Sequence, residues 1–139
     1  MVYAGTNYLA VIVAAVAAFL AGAIYYGALG KWWMKAARIE PSRDGASRMP
    51  KPSQLVTSLV AELVMATVMA GAIGHLGAGQ VTLRNGIVSA VILWAGFMAT
   101  TLAVNQRYQG YGWDLTIIDA GHWLLVALTM GAIIGAMGA

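Results

Sequence analysis

Four long apolar runs occupy most of this 139-residue chain, at residues 8–29, 55–76, 86–104 and 115–137. Each run approaches the roughly 20 residues that a helix needs to cross a hydrocarbon core about 30 Å thick. Only 9% of the residues are charged, whereas a soluble domain carries about 25%. The sequence therefore predicts an all-α integral membrane bundle of four transmembrane helices, with residues 1–139 forming a single four-span membrane domain.

The composition also bears on the kind of site. The chain has no cysteine, so it forms no disulfide, no thiolate nucleophile and no cysteine-ligated metal centre. His75 and His122 are predicted at different depths, which argues against a shared metal or haem. The net charge of +3 does not indicate nucleic-acid binding, because the basic residues lie beside the apolar runs. We expect no cofactor and no metal, and the lack of a recognisable catalytic set favours a protein that is not an enzyme.

The distribution of lysine and arginine predicts the orientation of the bundle. Six of these eight residues lie in the connection 30–54, whereas the connections 77–85 and 105–114 hold one each. By the positive-inside rule, the basic connection is cytoplasmic and both termini are non-cytoplasmic. We expect the protein in the bacterial inner (plasma) membrane.

The start of the basic connection combines basic residues with tryptophans. Their spacing predicts a helical extension of the first span, with the tryptophans at headgroup level. Each basic residue near an anionic membrane adds about 1 kcal/mol of attraction, so this segment is a candidate docking site for lipid headgroups or an acidic partner. Alternatively, the charges only set the orientation. The residues are Lys31, Trp32, Trp33, Lys35 and Arg38.

Small residues recur at every fourth position in three of the runs. Such stripes allow close helix contacts in lipid, where association depends on packing and hydrogen bonds. They serve contacts either within one chain or between chains. The stripes are Ala14, Ala18 and Gly22, then Ala66, Ala70 and Gly74, then Gly131 and Gly135.

Polar residues within the runs form a candidate intramembrane site. A rise of about 1.5 Å per helical residue places Glu62 and His122 roughly 10 Å, and Asp119 about 6 Å, from the cytoplasmic ends of their spans. The other two spans contribute polar residues to the same half. The full set is Tyr25, Tyr26, Ser58, Glu62, Asn105, Asp119 and His122.

An ionisable group inside a span is costly and is a candidate functional site with a partner nearby. We expect Glu62 to pair with His122, with Asp119, Asn105 and a tyrosine hydroxyl completing the network. Such a pair binds a cation or carries a proton. The alternative is a buried structural network that fixes helix register, with Asp119 placed near a helix start where an acid suits the dipole.

A set of short segments runs along nearly the whole chain: Asn7-Tyr8-Leu9-Ala10, Gly22, Tyr25-Tyr26, Gly30-Lys31, Trp33-Met34, Gly86, Trp94-Ala95-Gly96-Phe97, Asn105, Ile118-Asp119-Ala120-Gly121-His122 and Met130-Gly131-Ala132-Ile133-Ile134-Gly135. With these segments the chain resembles the DUF1761 family of small membrane proteins. The resemblance implies four spans and no established reaction. Tyrosine is usual in the family at the position of His122.

Three functions are compatible with these features. The first is a membrane binding or accessory protein without chemistry of its own. The second is a small proton-coupled transporter, in which Glu62 exchanges a proton for a cationic or hydrophobic substrate. The third is a membrane enzyme that acts on a lipid or quinone through His122 and an acid. The expected partners are membrane lipids and either further copies of the chain or a larger membrane complex.

Overall fold

The computed structural model describes residues 6–40 and 49–139. Within them the chain is helical and has no strand, and four helices are long and apolar enough to cross a membrane. We name these helices α1 (Tyr8–Ala36), α2 (Pro52–Gly74), α3 (Leu83–Tyr108) and α4 (Trp113–Met137). The predicted all-helical class and the four long apolar helices are confirmed. The middle of the basic connection, residues 41–48, lies outside the described residues.

Local sequence signals explain where the helices begin. Asn7 caps α1 by accepting a hydrogen bond from the backbone N–H of Ala10 (3.1 Å). Pro52 opens α2 at a position where a missing N–H costs nothing. Thr82 caps α3 through the N–H of Asn85 (3.2 Å). At its other end, α1 continues past residue 29 to Ala36, as the predicted helical extension requires.

Helix α4 lies at the centre of the bundle. It packs along both α1 and α3, whereas α2 packs mainly on α1. One end is marked by the side chain of Asn7, which donates to the carbonyl of Met137 (3.0 Å). At the opposite end α1 and α3 finish and α2 and α4 begin, and we call it the basic end. The buried core consists of Val11, Ala14, Ala15, Ala18, Ala66, Met69, Ala70, Ile73, Ala90, Val126, Ala127, Met130 and Ile134.

The small-residue stripes make contacts within the chain. Ala14, Ala18 and Ala66 are completely buried. A Cβ added at Gly86 of α3 or at Gly131 of α4 would collide with the backbone of the other residue. In lipid, this close backbone approach is what holds helices together. The stripes are therefore occupied by internal packing.

Helix α3 changes its winding in the middle. The segments Leu83–Leu93 and Thr100–Tyr108 are α-helical, whereas Trp94–Ala99 is a π-helix. A π turn inserts one residue, which rotates everything after it by about 100° relative to a continuous α-helix. The indole Nε1 of Trp94 donates to the carbonyl of Ala120 (2.8 Å), which ties this segment to α4.

The C-terminal ends of α1 and α3 meet at the basic end. Each helix is followed by a residue in the left-handed region, Arg38 with φ 56° and Gly110 with φ 78°. Glycine suits this conformation, whereas arginine is strained in it. The guanidinium group of Arg38 donates to the carbonyl of Gly110 (2.8 Å) and lies 5.7 Å from the centroid of the Tyr111 ring. Arg38 therefore links the two helix ends.

Helix α2 packs over only part of its length. Every residue from 51 to 60 is exposed, including Val56 and Val60 at 62% and 56%. The later turns are buried against α1 through Ala66, Met69 and Ala70. The first half of α2 thus stands free of the other described helices.

Candidate functional site

Asp119 of α4 is the centre of a hydrogen-bonded cluster. Its Oδ1 accepts from the hydroxyl of Tyr26 (2.7 Å) and from Nε1 of Trp33 (3.0 Å), and its Oδ2 accepts from Nε2 of Gln106 (2.8 Å). Tyr26 and Trp33 are two turns apart, on one face of α1. Hydrogen bonds to a charged acceptor are stronger than neutral ones. The carboxyl group therefore ties α1, α3 and α4 together.

Two tryptophans of the predicted docking segment lie in different environments. Trp32 is 63% exposed, whereas Trp33 is half-buried and bonded to Asp119. Trp33 is therefore turned toward the other helices, whereas Trp32 faces outward. Lys31, Lys35 and Arg38 are exposed, although Arg38 is already engaged with Gly110.

His122 lies one helical turn above Asp119 in α4 and is only 7% exposed. Its ring centroid is 4.5 Å from that of Tyr26 and 4.8 Å from that of Trp123. A Cβ added at Gly22 would lie 2.6 Å from Nε2 of His122, so the absence of a side chain at Gly22 makes room for the imidazole. Among the described residues, Nδ1 of His122 is buried without a hydrogen-bond partner.

Glu62 of α2 is the most deeply buried charged residue in the described part of the chain, with 2% of its surface exposed. Its Oε2 has no hydrogen-bond partner in the described part of the chain. Gly74 and Ala139 are neighbours at the end opposite the basic end. Glu62 lies about 18 Å along α2 from Gly74, and His122 lies about 22 Å along α4 from Met137.

The structure buries both Glu62 and His122. No hydrogen bond between them occurs in the described residues, and each keeps a buried polar atom without a partner. Asp119 differs, because both of its oxygens already accept hydrogen bonds. Within the described residues, Glu62 and His122 are thus the members of the predicted site with a buried, unpartnered polar atom, and Oε1 of Gln106 beside Asp119 is a further buried acceptor without a partner.

Two predicted site residues are exposed and take no part in the cluster around Asp119. Asn105 is exposed, and its neighbour Gln106 takes the place beside Asp119. The π turn in α3 accounts for this difference, because one inserted residue moves the inward position from 105 to 106. Ser58 is also exposed, since the first half of α2 has no helix packed against it.

Tyr25 binds the backbone of α4 and not the Asp119 carboxyl group. Its hydroxyl donates to the carbonyl of Ile118 (2.8 Å). A Cβ added at Gly121 would lie 2.6 Å from this hydroxyl, so Gly121 permits the contact. Tyr25 also packs edge-on against Tyr26, with 5.5 Å between ring centroids. Tyr25 therefore packs beside the cluster without bonding to the Asp119 carboxyl group.

Arg107 joins α3 to α4 below the cluster, a role that sequence reasoning missed. Its Nη2 donates to the carbonyl of Gly112 and to Oγ1 of Thr116, each at 2.7 Å. Its guanidinium carbon lies 4.1 Å from the centroid of the Trp113 ring. Among the described residues, no group of three histidine, cysteine, aspartate or glutamate side chains is arranged to hold a metal ion.

A family model described as "Protein of unknown function (DUF1761)" matches residues 9–135. The matched range runs through all four helices and contains the whole cluster described above, so the resemblance seen in the sequence is confirmed. A search of curated proteins and a search of solved structures each find no match.

Proposed function

The chain belongs to the DUF1761 family, and from its apolar helices and the burial of Glu62 we propose that it is a four-span integral membrane protein that binds and releases a proton at Glu62. In this proposal both termini are non-cytoplasmic and the basic connection is cytoplasmic. The length and apolar character of the four helices support the membrane location. The excess of lysine and arginine in residues 30–54 supports the orientation.

The contrast between two acids of the predicted site carries the proposal. Asp119 is satisfied by three donors from two other helices, as an acid kept for structural reasons should be. Glu62 is more deeply buried, and its Oε2 has no partner in the described residues. Burying a polar group without a hydrogen bond costs stability. An ionisable group that is buried despite this loss of stability is better explained by proton or ligand binding than by a structural role.

Binding of a proton would neutralise the buried Glu62 carboxylate, and release of that proton could be coupled to transport. One carboxylate charge is neutralised either by a proton or by a cation, so the two compete for the same residue. His122 supplies a second buried titratable group, and its Nδ1 is also unpartnered among the described residues. The mechanism supported best is exchange of a proton for a cationic or hydrophobic substrate.

Uptake by reconstituted vesicles tests this mechanism. With ethidium as a lipophilic cation and an imposed pH gradient, we expect uptake by the wild type and only the rate of protein-free vesicles with Glu62→Gln. The exposed acid Glu40 provides the matched control, because Glu40→Gln makes the same charge change outside the bundle. Infrared difference spectra between two pH values that both lie above the range in which an exposed glutamate titrates should also lose one carboxyl band in Glu62→Gln only. Equal spectra for all three proteins would refute proton binding at Glu62.

An accessory role is the second candidate, favoured by the free first half of α2. The small-residue stripes are buried inside the chain except at Gly74, so assembly would use the exposed apolar side chains of residues 51–60. Native mass spectrometry of the same preparations separates the two candidates. A second copy retained equally by wild type and Glu62→Gln, in protein that takes up no ethidium, would favour the accessory role.

A further inference from the structure

Exposed aromatic side chains from three helices lie at the basic end. Trp32 of α1 is 63% exposed, Tyr108 of α3 is 92% exposed and Trp113 of α4 is 60% exposed. The contacts of Arg38 with Gly110 and of Arg107 with Gly112 hold the three helix ends together. Tryptophan and tyrosine rings favour the level of the lipid headgroups. The three rings therefore mark one interfacial plane across the bundle.

Two lysines lie close to Trp32 along α1. Lys31 and Lys35 are exposed and lie one turn apart, so their side chains share a face of α1. The two arginines that the structure describes at this end are engaged elsewhere, because Arg38 donates to Gly110 and Arg107 donates to Thr116. The lysines are thus the basic groups here that face outward beside an aromatic anchor.

We propose that Lys31, Trp32 and Lys35 form a binding surface for the headgroups of anionic phospholipids. Two ammonium groups one turn apart complement the phosphates of a negatively charged leaflet, while the indole ring holds the helix at headgroup depth. At the opposite end, the described segment 75–84 holds Arg84 as its one arginine or lysine. The preference for anionic phospholipids is therefore expected at the basic end, and this proposal is independent of the role of Glu62.

Retention of lipid by the purified protein tests this surface. The protein is placed in bilayers of equal phosphatidylglycerol and phosphatidylcholine, and native mass spectrometry counts the lipids that remain bound. We expect the wild type to prefer phosphatidylglycerol, and each lysine replaced by glutamine to lower the preference roughly fivefold. The control is Arg84→Gln, which removes one charge at the other end and should leave the preference unchanged.

Three results would overturn the proposal. One is an unchanged preference in the double variant Lys31→Gln/Lys35→Gln, and another is an equal loss in Arg84→Gln. The third is displacement of the retained lipid by inorganic phosphate, which would indicate a site for a free anion and not for a lipid surface. Intact folding of the double variant is checked by its far-UV circular dichroism and by its total tryptophan fluorescence, which includes the emission of Trp33 bonded to Asp119 inside the bundle.

Discussion

Gly22 is the residue on which the position of His122 depends most directly. A Cβ at Gly22 would lie 2.6 Å from Nε2 of His122, closer than two such atoms approach. The imidazole has no room to swing aside, because the rings of Tyr26 and Trp123 pack against it. We therefore expect Gly22→Ala to lower the free energy of unfolding in bicelles by about 1–3 kcal/mol, the usual cost of overpacking.

Gly27 provides the control on the same helix. A Cβ at Gly27 meets nothing within 4 Å, so Gly27→Ala should be neutral or stabilising by up to about 1 kcal/mol. Removing the imidazole in Gly22→Ala/His122→Ala should make the two changes less than additive, because the colliding atom is gone. Strict additivity would show that Gly22 and His122 do not interact as the distances indicate.

At the scale of the helices, Arg38 offers a test of how α1 ends. Its φ of 56° is a conformation that costs a residue with a side chain about 1–2 kcal/mol relative to glycine. Arg38→Gly and Arg38→Ala both lose the bond to Gly110, so they differ only in backbone strain. We expect Arg38→Gly to be the more stable variant by about 1–2 kcal/mol in equilibrium unfolding.

Lys35 gives the comparison that makes the Arg38 result specific. It lies in the last turn of α1 with ordinary helical geometry, so Lys35→Ala should be more stable than Lys35→Gly by about 0.5–1 kcal/mol. The order of alanine and glycine is thus expected to reverse within three residues. The same order at both positions would mean that α1 does not end in a left-handed residue.

The helices themselves follow from the sequence because each is encoded locally, by a long apolar run and by capping residues such as Asn7 and Thr82. The helical extension carrying Lys31 and Lys35 was predictable for the same reason. The partners of Asp119 were predictable only in part. The role of Tyr26 could be predicted from its depth and polarity. The role of Gln106 depends on the π turn in α3, and the sequence of residues Trp94–Ala99 contains no signal that predicts this turn. The inward orientation of Trp33 likewise depends on contacts between helices that are distant in sequence.

At the scale of the whole molecule, one labelling experiment tests both membrane insertion and orientation, because the chain has no cysteine of its own. Single cysteines introduced in intact cells report which side of the membrane each position faces. Gln80 lies in the connection between α2 and α3, and Gln109 follows α3 at the basic end. A membrane-impermeant maleimide should label Gln80→Cys in intact cells, and Gln109→Cys only after the membrane is opened.

The decisive control is a residue in the middle of α1 whose side chain is not packed against another helix. Ile24 is 74% exposed, so in a soluble protein Ile24→Cys would react as fast as either loop position. In a bundle that spans the bilayer, lipid covers this side chain, because the apolar faces of all four helices then meet hydrocarbon and not water. We expect Ile24→Cys to stay unlabelled until the protein is denatured. Rapid labelling of Ile24→Cys would contradict insertion, whereas labelling of Gln109→Cys in intact cells would contradict only the orientation.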